Sequence, residues 1–162
     1  MTGSKQSVAS GIAQQVTNLG LATAPAAASA PSNPTATSST TLKMMGLAEA
    51  FTPSNQSPQV LVIITGVAAT ATGAQTVTVG GRYGTGTAPA NAAAVTGTRF
   101  GPASDAVAGP GAAAAAGIPF TITDVLTLSP GVAYWFDLAV ATGNASDAAS
   151  VTAVKVVTVE LP

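Results

Sequence analysis

The chain has 162 residues, of which 7% are charged, and its net charge is −1; soluble domains average about 25% charged residues. The few basic residues are scattered from Lys5 to Lys155 and make no phosphate-tracking stripe, which argues against nucleic-acid binding. With no Cys and no His, the chain has no disulfide framework, thiolate zinc site, imidazole base or imidazole metal ligand. A surface this poor in charge suits a subunit packed inside a larger assembly better than a freely soluble monomer. No run approaches the ~18 apolar residues of a membrane helix, so no membrane partner is expected.

Residues 4–19 (SKQSVASGIAQQVTNL) place Val8, Ile12, Val16 and Leu19 at helical steps, on one narrow apolar stripe. Ser4 or Ser7 caps its start and Gly20 ends it. An isolated helix of this length is marginal in water and needs a partner surface, so residues 1–21 are expected to be an anchoring arm. Ala26–Ala30 superficially offers a signal-peptidase site, but Gln14, Gln15, Thr17 and Asn18 interrupt any apolar run before it, so no cleaved signal is expected. Residues 22–41 are a Pro/Ala/Ser/Thr linker. Pro25, Pro31 and Pro34 prevent a continuous helix and favour extended backbone that spans several tens of Å, at about 3 Å per residue.

From Leu42 the pattern becomes β, and residues 42–162 read as one domain. Residues 42–51 predict a first strand. Residues 59–67 (QVLVIITGV) are apolar on both faces and predict a strand covered on both sides, either by the second sheet and a neighbouring subunit or by a packed arm. Residues 75–83 alternate, with Val77, Val79 and Tyr83 inward and Thr76, Thr78 and Arg82 outward; Gly80-Gly81 suggests a bulge. Residues 84–94 (GTGTAPANAAA) read as a long loop, 95–100 as a short strand and 101–117 as irregular, with room for a helical turn at 112–116. Residues 118–126 predict a strand with Phe120 and Ile122 inward.

Residues 126–141 (LTLSPGVAYWFDLAVA) hold the only Trp and the densest run of large side chains. A Pro130-Gly131 turn precedes a strand with Val132, Tyr134, Phe136, Leu138 and Val140 on the core face and Trp135 and Asp137 on the other. The spacing of Leu128, Pro130, Gly131 and Tyr134 resembles a tyrosine corner, in which the hydroxyl bonds back to upstream backbone. Residues 143–147 are a turn and 150–161 a closing strand rich in β-branched residues. The sum is an all-β, seven-stranded antiparallel sandwich, immunoglobulin- or fibronectin-III-like, with a jelly roll as the alternative.

No side-chain set points to catalysis. Glu49, Asp105, Asp124, Asp137, Asp147 and Glu160 are dispersed, and Asp137 is expected to be solvated or paired to Lys or Arg. Residues 144–147 (NASD) lack the regular acidic spacing and closing Glu of an EF-hand, and Asn144-Ala145-Ser146 matches a glycosylation sequon. Gly80–Gly86 has glycines but no phosphate-loop lysine. No cofactor or metal is implied. Trp135, pointing away from the core face, is read either as core or as a subunit contact, where aromatics are enriched; Arg82 and Arg99 are expected beside it at such an interface.

Five stretches carry a resemblance: 44–47 (MMGL), 59–66 (QVLVIITG), 82–91 (RYGTGTAPAN), 94–97 (AVTG) and 125–137 (VLTLSPGVAYWFD). Over residues 44–140 the chain resembles small proteins encoded among the virion genes of tailed phages and prophages. That resemblance implies a virion component and no enzyme. Joined to the arm and the low charge, it suggests a capsid decoration (cement) protein or head fibre on the virion surface. Its expected partners are the major capsid protein and copies of itself, as trimer or dimer. Val8, Ile12, Val16 and Leu19 would anchor it. The competing expectation is a tail-fibre or surface adhesin that binds a receptor or glycan through loops 84–94 and 101–117.

Overall fold

Alternation along residues 59–70 sets the architecture: Val60, Val62, Ile64 and Ala68 are buried, while Leu61, Ile63, Val67 and Ala69 on the other face are half-buried. The computed structural model describes residues 35–54, 59–71, 75–102, 105–108 and 117–161. Its strands are β1 (Lys43–Met44), β2 (Glu49–Phe51), β3 (Gln59–Thr70), β4 (Val77–Thr85), β5 (Thr98–Phe100), β6 (Ala106–Ala108), β7 (Ile118–Thr127), β8 (Tyr134–Thr142) and β9 (Ala149–Glu160). All pairings are antiparallel. One sheet has the order β7-β3-β9, and the six-stranded sheet has β1 and β2 against β8, β8 against β4, and β5 and β6 against β4.

The two sheets pack face to face. Val60, Val62, Ile64, Ile122, Leu126, Val151 and Val156 from one meet Val77, Val79, Phe136, Leu138 and Val140 from the other in a single core cluster. Each such side chain contributes about 1.5–3 kcal/mol on leaving water. At one end Tyr83, Phe100, Tyr134 and Phe136 form an aromatic group, with Phe100 and Phe136 edge to face at 6.0 Å.

Two of the six-stranded sheet's positions are broken strands. β1 and β2 meet the same edge of β8, at Ala139–Val140 and at Tyr134–Phe136. β5 and β6 likewise share the outer edge of β4. Counting each broken pair as one, the sandwich has seven strand positions. The immunoglobulin arrangement puts the first strand with the second and fifth, and the last with the third and sixth. Here the first lies beside the sixth (β8) and the last (β9) beside the second (β3). Relative to that arrangement the first and fourth positions lie with the third and sixth, and the last lies with the second and fifth.

The first strand also spans the seam between the sheets. Thr37 exchanges two 2.8 Å backbone hydrogen bonds with Ala149 at the start of β9, the Thr142 amide donates to the Ser39 carbonyl, and β1 then joins β8. Gly80-Gly81 makes no bulge, since β4 pairs with β8 in unbroken register from Val77 to Thr85. The bulge lies in β9, opposite Thr65–Val67, where Ala153 takes a φ of +50°. Val132, expected inward, is 38% exposed because it still belongs to the turn before β8. The described residues hold no helix. The helical arm, with Val8, Ile12, Val16 and Leu19, and the helical turn at 112–116 lie outside them.

Candidate interaction surface

The outer face of the six-stranded sheet is closed by the chain itself. Asp137, on β8 opposite Arg82, has no exposed surface. Its Oδ1 accepts from the Leu47 and Leu138 amides at 3.0 and 2.7 Å, and its Oδ2 from the Gly46 amide at 3.0 Å. The carboxylate thus fixes the chain between β1 and β2 and supplies acceptors where the ladder is interrupted. Burial pushes its pKa above the ordinary value, and the backbone donors of Leu47, Leu138, Gly46 and Met45 oppose that shift without cancelling it. The expectation of a solvated or ion-paired Asp137 is corrected: its partners are backbone amides.

Trp135 is 5% exposed. Its ring packs with Met44 and Ala139, and Leu42, Ala88 and Ala93 pack around that group. The indole N–H donates to the Thr85 carbonyl at 3.2 Å. Close packing against backbone requires glycine beneath the ring: a Cβ on Gly84 would lie 2.5 Å from Trp135 Cζ2, and one on Gly97 would also overlap the indole. Of its two expected environments, Trp135 occupies the buried one within its own chain. The loop at 86–97 is therefore folded onto the sheet, and the Met44 and Ala93 backbones bond to each other at 3.0 Å.

Arg82 is also buried. Its guanidinium makes a two-pronged contact with Asp105, at 3.0 and 3.1 Å, and donates to the Gly81 carbonyl at 2.9 Å. A Cβ on Gly80 would overlap the Asp105 carboxylate, and one on Gly81 would lie 2.7 Å from the Phe100 ring. These glycines therefore make room on the two faces of β4, which is why they do not bend it. Arg99, opposite Arg82 on β5, is exposed. The expected trio is thus split: Arg82 and Trp135 are enclosed, and Arg99 faces solvent.

The turn before β8 has the expected corner geometry. The Ser129 amide donates to the Tyr134 hydroxyl at 3.0 Å, the Gly131 amide donates to the Pro53 carbonyl at 2.8 Å, and Leu128 is buried. Gly131 has a φ of +74°, which a glycine after Pro130 takes without strain. No family model, curated protein or solved structure matches the chain.

The outer face of β7-β3-β9 differs. Leu61 pairs across to Val125 and Val159, Ile63 to Thr123 and Val157, and Val67 to Pro119 and Thr152. Val125 is 48% exposed. Lys155, beside Thr65, is the only charged residue that the register places on this face. Neither sheet contributes a described strand over it. The expectation that β3 is covered on both sides therefore holds for one side within the described residues. Among those residues, no three His, Cys, Asp or Glu side chains gather as a metal site would require.

Proposed function

We propose that this chain is a structural virion protein of a tailed phage, a capsid decoration protein or head fibre. In this reading it binds the major capsid protein through its N-terminal arm and acts as a closed oligomer of its own copies. The observation that carries the reading is where the distinctive motifs end up. Residues 44–47, 82–91 and 135–137 meet at the outer face of the six-stranded sheet, where Trp135 packs with Met44 and Ala88 and bonds the Thr85 carbonyl, and Asp137 accepts from Gly46 and Leu47. The least generic residues of the chain are spent on holding a loop and a strand break in place. That is the pattern of a scaffold, whose function is burial and positioning.

The low charge and the long tether support the same reading. Each arm contact is small, and repetition over a symmetric shell makes the sum large. For the adhesin alternative, the 84–94 loop has Ala88 and Ala93 packed inward on the Trp135 group and residues 85–87 and 90–92 exposed. Deleting residues 1–34, which leaves the Thr37–Ala149 bridge intact, tests the proposal. The truncated chain should lose binding to capsids of the phage that carries it. Binding equal to that of the full chain overturns the anchoring role, and specific glycan binding by the truncated chain would favour the adhesin.

A further inference from the structure

We propose that the outer face of β7-β3-β9 is the docking site for the chain's own segment 4–19, whose stripe of Val8, Ile12, Val16 and Leu19 lies along β3. The face has what such a stripe needs. Leu61, Ile63, Val67, Val125, Val157 and Val159 line it, and Lys155 is its one charge. The segment offers four large apolar side chains on one stripe, no acidic residue, and a single charge, Lys5, at its start.

Dimensions agree. A stripe from Val8 to Leu19 is about 17 Å long at 1.5 Å per residue. The face from Ala69 to Leu61 is about 27 Å long at 3.4 Å per residue, and its outer strands stand about 10 Å apart. One helix, about 10–12 Å across, therefore covers three strands. The tether begins in the right place. Thr37 pairs with Ala149 on the open edge of β9, in the same sheet. That pairing is antiparallel, so residues 35–36 run along β9 towards the Leu61–Val159 end of the face. Extended linker at about 3.1 Å per residue is long enough to return the stripe anywhere on it.

A second copy fits this face less well. The outward residues of three strands are fewer than the roughly 20–30 a side of a stable interface. Tethering, by contrast, gives the arm an effective concentration on the order of millimolar, so a weak contact suffices. Docking in cis does not depend on the virion reading. If both hold, capsid subunits compete with the sheet for one stripe.

The absence of Cys makes the test direct. Full-length V16C/I63C and V16C/V125C are treated with a short bismaleimide at low micromolar protein, with V16C/R99C, on the other sheet, as control. The expected result is intrachain linkage at least ten-fold faster for either of the first two pairs than for the control. Equal rates for all three overturn the proposal, as do links formed only between chains, which would give the face to a second copy. Because Ile63→Cys touches a half-buried position, the Val125 pair stands as an independent measurement. In the full chain, V16D should raise the maleimide reactivity of V125C several-fold; unchanged reactivity also overturns the proposal.

Discussion

The outer faces of the two sheets are built on the same strand alternation and end in opposite states. On the six-stranded sheet, the outward residues of β8 and β4 lie under the chain's own connections: Asp137 under residues 45–47, Trp135 under the 86–97 loop, Arg82 beside Asp105. On the three-stranded sheet, the outward residues of β3 are half-buried, with no described strand over them. The difference lies in the connections. Where they supply amides, glycines and a carboxylate, an outward strand face becomes interior.

Substitutions on the two faces should therefore separate. The largest effect is expected at Trp135→Ala, which empties a site closed by Met44, Ala139, Ala88 and Ala93. Chemical denaturation should show a loss of about 3–5 kcal/mol; a loss under about 1 kcal/mol would mean that the 86–97 loop is not held by the indole.

Asp137→Asn comes next. Its amide group puts a donor where the carboxylate accepts from Gly46 or Leu47, leaving one buried amide unpaired, at a cost of about 1–3 kcal/mol. The wild-type carboxyl should titrate above its ordinary value of 3.8 when followed by NMR. A raised native pKa means the unfolded state gives up this proton first as pH rises. The Asp137 contribution to stability is thus fully present below 3.8 and declines as pH rises through the native pKa. A native pKa at or below 3.8 would show that the backbone donors outweigh burial.

The smallest effect is expected on the outer face of β7-β3-β9 once the arm is removed. In the chain lacking residues 1–34, Val125→Thr, at a position 48% exposed, should shift stability by no more than about 0.5 kcal/mol. A loss above about 2 kcal/mol in that shortened chain would mean that the sheet itself encloses the position, and a larger loss in the full chain than in the shortened one would place Val125 under the arm.

Much of the fold was legible in local pattern. Alternation along 77–83 and 134–140 placed Val77, Val79, Phe136, Leu138 and Val140 inward, where they are buried. The spacing of Pro130, Gly131 and Tyr134 anticipated the hydroxyl contact at Ser129. Features that depend on distant residues were not legible. Strand order is set by which edges meet, and nothing in residues 43–51 or 149–160 says that these strands join β8 and β3. Gly80-Gly81 reads as a kink until Phe100 and Asp105 are seen to need the space. The bulge at Ala153 carries no glycine to mark it. Asp137 was visible as one acid in an apolar run, and its role became clear only with the amides of Gly46 and Leu47, some 90 residues earlier, in contact.

The strand that crosses the seam has a mechanical meaning. A pull on the described chain from its residue-35 end meets Thr37 first, where two backbone hydrogen bonds tie it to β9. It then passes through the Ser39–Thr142 contact to β1 and β8. The two sheets are thus strung in series on one segment, and a pull along β9 loads the Thr37–Ala149 pair in shear.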